Sequence, residues 1–146
     1  MDKHGNNGIC YYTFGQNGIS SVPHGFFTRL GGVSPDHWKS LNLSTTGGDS
    51  VENVIENRRR IFQVLDRPVK SIYDTWQVHG TKIINAQSPR GLENTPIKAD
   101  GIITNNKSLT LFMRFADCVP LLFFDPYKKV IGIAHAGWKG TVNQIG

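Results

Sequence analysis

The chain has 146 residues, 38% hydrophobic and 18% charged, with a formal net charge of +5. This length suits one domain with a real core, residues 1–146, and is too short for two independent ones; no apolar run is long enough for a membrane-spanning helix. The positive charge favours an anionic partner, but the basic residues are scattered apart from Asn57–Arg60 and no aromatic-basic motif appears, so a nucleic-acid groove is not expected.

The first residues, MDKHGNNG, are polar and glycine-rich and lack the apolar middle of a secretory signal. Residues 1–8 are therefore expected to be disordered and the protein cytoplasmic, with Cys10 and Cys118 as reduced thiols. Strands are expected over 9–14, 25–29, 82–86, 101–104, 109–115, 119–124 and 130–134, each bounded by Gly, Pro, Asn or Asp. Their Val, Ile and Phe do not alternate strictly, which predicts sheet covered on both faces by helices.

One helix is expected from about Ser50 to Leu65, capped by Asp49, with Glu52 completing a capping box and Pro68 beyond the end. On a 3.6-residue wheel Val51, Val54, Ile55, Phe62 and Leu65 form an apolar stripe, with Arg58 near its middle. Either the guanidinium runs out past the stripe or pairs with a carboxylate, or it lines a cleft and meets a ligand anion, because burying it unpaired is costly. The closing AGWKGTVNQIG reads as a strand end entering a helix, and ending at Gly146 on a nascent helix is expected of an incomplete chain.

The stretch ADCVPLLFFDPYKKVIGIAHAGWKGT concentrates the chemistry. If Asp125-Pro126-Tyr127-Lys128 is a tight turn, Cys118 faces His135 across an antiparallel pair, their β-carbons about 4.5–5.5 Å apart. A thiolate and an imidazole there could share a metal ion; a register slip of one residue would part them. Zinc sites that do chemistry usually hold three protein ligands, and His79 in VHG or His24 could be the third. The alternative is a buried core thiol and a stray imidazole. Gly137-Trp138-Lys139-Gly140-Thr141 is either an anion-binding strand-to-helix turn or an ordinary glycine turn, and it lacks the spacing of a Walker A loop.

Taken together and in order, HGFFTRLGGVSPDHWKSLNLS, GDSVENVIENRRRI, QVHGTKI, ADGIIT, ADCVPLLFFDP and IGIAHAGWKGT resemble the laccase-domain family, also called the polyphenol oxidase or purine nucleoside phosphorylase family. The resemblance covers nearly all of the chain after about residue 20. It implies an α/β (α+β) fold, with mixed β-sheets in stacked layers flanked by helices and incomplete at the C-terminus. It also implies zinc held by His79, Cys118 and His135, and a substrate site that includes Arg58 and Asn42. The implied activity is phosphorolysis of adenosine, inosine and methylthioadenosine, and deamination of adenosine. Arg58 and Lys139 are then natural phosphate contacts, and Asp117 a catalytic proton shuttle or a residue that orients its loop.

Two other readings compete. A copper-dependent polyphenol oxidoreductase could use one copper in the same site, since divalent copper generally outcompetes zinc for such ligands; a four-copper centre needs far more imidazoles than the five histidines present. A basic nucleotide-binding module would leave Cys118 and His135 structural and bind nucleic acid in a salt-dependent way. The resemblance favours a purine nucleoside and phosphate as partners, without nucleic acid or membrane, and leaves a homodimer open.

Overall fold

The computed structural model of the chain describes residues 1–15, 18–91 and 93–145, and Gly146, where the incomplete ending is expected, lies outside them. These residues fall into two compact units, Met1–Val69 and Lys70–Gly146, a division that composition does not reveal. No helix among them is long and apolar enough to cross a membrane.

The first unit begins with a turn. Asn7 and Gly8 take left-handed backbone, φ 47° and 83°, as a two-residue hairpin turn requires and as Asn-Gly tolerates. They close β1 (Asp2–Asn6) antiparallel onto β2 (Ile9–Thr13). Residues 1–8 are thus an ordered hairpin arm, not the disordered tail that their composition suggests; the Asn-Gly signal outweighs the polarity of the flanking residues. β3 (Phe26–Phe27) adds to β2, and the paired His4, Tyr11 and Phe27 stack across all three strands with ring centroids 5.0 and 5.2 Å apart.

Helix α1 (Val51–Val64) matches the expected span but not the expected cap. Ser50 is the N-cap, its hydroxyl accepting from Asn53 N at 3.1 Å. Asp49 instead anchors the preceding loop: its carboxylate accepts from Ser34 Oγ (2.6 Å), Asn42 Nδ2 (2.8 Å), Asn53 Nδ2 (2.9 Å) and Ser50 N (2.8 Å). The buried helix face is Val54, Asn57, Ile61 and Phe62, whereas Val51 and Ile55, placed on the predicted stripe, are exposed. The stripe is displaced because Asn57 is a core residue. It is fully buried, accepting from Val33 N and donating to Ser34 Oγ, Ser40 O and Asn42 O, so an amide with a complete set of partners occupies a place the hydrophobic pattern reserves for apolar side chains.

In the second unit β4 (Ile72–Asp74) runs parallel to β7 (Thr110–Phe112). A four-stranded mixed sheet has the order β5 (Ile83–Asn85), β6 (Gly101–Thr104), β9 (Val130–Ala136), β8 (Val119–Asp125), with β5 and β6 parallel and the other pairs antiparallel. The architecture is the expected mixed α/β. Ala86, Ile102, Leu109 and Met113 form its core, with Tyr73, Leu111, Phe115 and Ile133 packed against it. Among the described residues the two sheet faces are unequally covered. Ile102, Thr104 and His135 are buried, while Val119, Phe123, Ile83 and Ile103 on the opposite face are exposed, so the expectation of two buried faces does not hold.

The β8–β9 connection differs from the expected tight turn. Asp125 pairs with Val130, leaving the four residues Pro126–Lys129 between the strands. Asp125 Oδ1 accepts from Tyr127 N and Lys128 N, both at 2.9 Å, and Lys129 takes φ 54°; the aspartate shapes the turn as expected, but over two more residues. The register moves by two positions, so Pro120 rather than Cys118 faces His135. A shift of two conserves the face, because side chains alternate with period two, and Cys118 stays on the same side as His135, one step along the hairpin. Pro120 sits in β8 at the sheet edge, where its missing N–H leaves no gap in the ladder.

Candidate metal centre

His135 lies near the end of β9 with only 4% of its surface exposed. Its Nδ1 is 2.8 Å from Oδ1 of Asp100, the residue that precedes β6 and is itself 0% exposed. Burial alone would raise the Asp100 pKa, but the bond from His135 and those from the Gly80, Val78 and His79 amides outweigh it and hold the carboxyl below its ordinary value. An ionised carboxylate only accepts hydrogen bonds, so Nδ1 is the donor to it, and in the neutral ring the lone pair is then left on Nε2. That lone pair is the one a metal ion needs.

His79 comes from the loop after β4. The Asp100 carboxylate accepts from His79 N at 2.9 Å, Gly80 N at 2.8 Å and Val78 N at 3.2 Å. Gln77 ties the loop down from its other side, donating from Nε2 to Arg114 O at 2.7 Å and accepting from Arg114 N at 3.1 Å. Held in this way, His79 adopts φ 59°, a left-handed backbone that costs a residue other than glycine roughly 1–3 kcal/mol. Its exposed imidazole meets the His135 ring edge-on, with centroids 4.7 Å apart.

Cys118, half-buried at the entry to β8, completes the group: its Sγ lies 3.8 Å from His79 Nε2, and the ligand atoms of His79, Cys118 and His135 all fall within 4.8 Å of one another. A tetrahedral zinc ion with Zn–S of about 2.3 Å and Zn–N of about 2.0–2.1 Å keeps such atoms roughly 3.3–3.6 Å apart, so contractions from a few tenths of an ångström to about 1.5 Å would bring the three onto one ion. The space is kept by Gly137, next to the hairpin end. A Cβ there would stand 2.7 Å from His79 Cδ2 and 3.3 Å from Cys118 Sγ. The donor set fits a zinc or copper ion.

Of the two candidates for a third ligand, His79 is the one grouped with Cys118 and His135. His24, in the first unit, has both ring nitrogens engaged, Nε2 accepting from Phe14 N and Nδ1 bonded to Val22 O, each at 2.8 Å. Asp117 adjoins Cys118, exposed and with φ 77°. Lys139 is exposed in the five-residue helix α2 (Trp138–Val142), whose Thr141 N donates to Gly137 O at 2.8 Å. In the first unit Arg58 is half-buried and donates from Nη2 to Leu43 O at 3.4 Å. The Asn42 amide is engaged locally, Nδ2 donating to Ser44 O and Asp49 and Oδ1 accepting from Ser44 N. Sequence reasoning missed Asp100 and Gly137 as parts of the centre, although both stand inside the ADGIIT and HAGW stretches that carry the resemblance.

A family model described as multi-copper polyphenol oxidoreductase laccase matches residues 23–146. Purine nucleoside phosphorylase YlmD of Bacillus subtilis (strain 168) is 43% identical over 128 residues, which cover 84% of this chain and 46% of that protein. Purine nucleoside phosphorylase of Deinococcus radiodurans is 42% identical over 126 residues, 86% of this chain and 47% of that one. Among solved structures, hypothetical protein YfiH of Bacillus licheniformis superposes with a TM-score of 0.84 at 32% identity, covering 96% of this chain and 53% of its own. The chain spans about half the length of the curated relatives it matches. His79, Cys118 and His135 all stand within the matched span, and a match this extensive makes the chain a member of the multi-copper polyphenol oxidoreductase laccase family.

Proposed function

We propose that the chain carries the metal centre of a purine nucleoside enzyme, with His79, Cys118 and His135 as ligands to one ion, zinc by preference. The observation that carries this reading is the meeting of three potential ligands from three separate segments, one of them a buried histidine whose Nδ1 lies 2.8 Å from the Asp100 carboxylate. When bound, the metal supplies Lewis acidity, enough in zinc enzymes to bring the pKa of water to about 7. The relatives named purine nucleoside phosphorylase support a nucleoside and phosphate as substrates. Phosphorolysis of adenosine, inosine and methylthioadenosine, and deamination of adenosine, are the reactions proposed.

The protein's own residues have distinct parts in this proposal. Asp100 holds the His135 proton on Nδ1; exposed Asp117, beside Cys118, moves a proton between solvent and substrate; Lys139 meets the phosphate. Arg58 and Asn42 remain proposed substrate contacts on the strength of the family resemblance. The reduced Cys118 thiol suits a cytoplasmic setting.

The test is elemental analysis together with phosphate-dependent release of adenine from adenosine, and of inosine in phosphate-free buffer. One equivalent of metal is expected, lost along with activity in Cys118→Ala and His135→Ala; full activity in those variants overturns the reading. The same donor set favours copper as a second reading, which requires phenol oxidation by copper-loaded protein and none by zinc-loaded protein.

A further inference from the structure

We propose that Asp100 is the positioning residue of this centre: one buried carboxylate sets both the tautomer of His135 and the backbone of the loop that carries His79. The inference rests on the metal reading above. The two histidines lie far apart in sequence, and what they share is this side chain. Oδ1 accepts from His135 Nδ1 (2.8 Å) and His79 N (2.9 Å), Oδ2 accepts from Gly80 N (2.8 Å), and Val78 N lies 3.2 Å from both oxygens. The Asp100 main chain is fixed as well, its N–H donating to Lys82 O (3.0 Å) and its carbonyl accepting from His135 N (2.8 Å).

All four groups facing the carboxylate are donors, and at 0% exposure no water can replace a lost partner. A carboxamide of the same shape cannot serve, because its NH2 must point at one of those donors. If it points at His135, the ring moves its proton to Nε2 and loses the lone pair a metal requires. If it points at the loop, the amides of residues 78–80 are repelled and His79 leaves its left-handed position. Either way a ligand is lost with little change in volume, which a role confined to packing does not predict.

The experiment compares wild type with Asp100→Asn. Nitrogen-15 NMR of the metal-free wild-type chain is expected to show His135 as the Nδ1–H tautomer. Cobalt titration is expected to give a thiolate-to-cobalt absorption that depends on Cys118. In Asp100→Asn cobalt affinity is expected to fall about 10–100-fold, with the far-ultraviolet dichroism unchanged. A wild-type His135 protonated on Nε2, or a folded Asp100→Asn chain with wild-type cobalt affinity, overturns the inference. If Asp100→Asn does not fold, the wild-type tautomer decides the matter. Absence of cobalt at Cys118 in the wild type would instead sink the metal reading, and the tautomer would still decide whether Asp100 orients His135.

Discussion

Gly137 has room for a hydrogen and nothing larger between His79 and Cys118. Its φ of −74° and ψ of 161° suit alanine as well as glycine, so the backbone gives no reason for glycine and the ligand cluster does. Gly137→Ala is expected to push the two ligands apart at a cost of about 1–3 kcal/mol, read as a roughly 5- to 150-fold weaker cobalt or zinc affinity by titration, with secondary structure intact. Unchanged affinity would mean that the His79 ring can step aside. At this scale the three proposed ligands were legible through the family resemblance that VHG, ADC and HAGW carry, while Asp100 was not. Nothing in a string of letters says that a carboxylate preceding one strand will meet amides some twenty residues upstream and an imidazole thirty-five residues downstream.

The elements were legible in their type and less so in their details. Strong local signals placed α1 and most strands to within a few residues, whereas β1 and the three-residue β4 went unseen, one misjudged on polarity and the other too short to show a period. The start of α1 was misread by one position because Asp49 and Ser50 are both good caps, and what separates them is the loop that Asp49 also binds. Burial would raise the Asp49 pKa, but bonds from Ser34, Asn53, Asn42 and Ser50 N outweigh it and lower the value from 3.8 to about 2. A carboxyl depressed in the folded state stabilises above its unfolded pKa, and that contribution is lost as pH falls through the folded one. Asp49→Asn is therefore expected to lower the urea midpoint at pH 6, and the gap to wild type should narrow between about pH 4 and pH 2; a gap that stays constant with pH would show that the charge contributes nothing.

For the whole molecule, metal binding and folding are coupled if the centre forms only in the native state. Metal at a hundred times its dissociation constant adds about 2.7 kcal/mol, so zinc is expected to raise the thermal midpoint and a chelator to reverse the rise. Cys118→Ala should abolish the response; the same upshift in that variant would place the bound metal elsewhere. The sequence by itself determined the class of fold and the helix and pointed to the three proposed ligands, because these rest on local turn and cap chemistry and on short motifs. Only the tertiary structure decided the rest. The hairpin register, the buried Asn57 and the meeting of Asp100 with two histidines depend on contacts between segments distant along the chain, and the free energy of such contacts depends on what lies opposite, which no local pattern specifies.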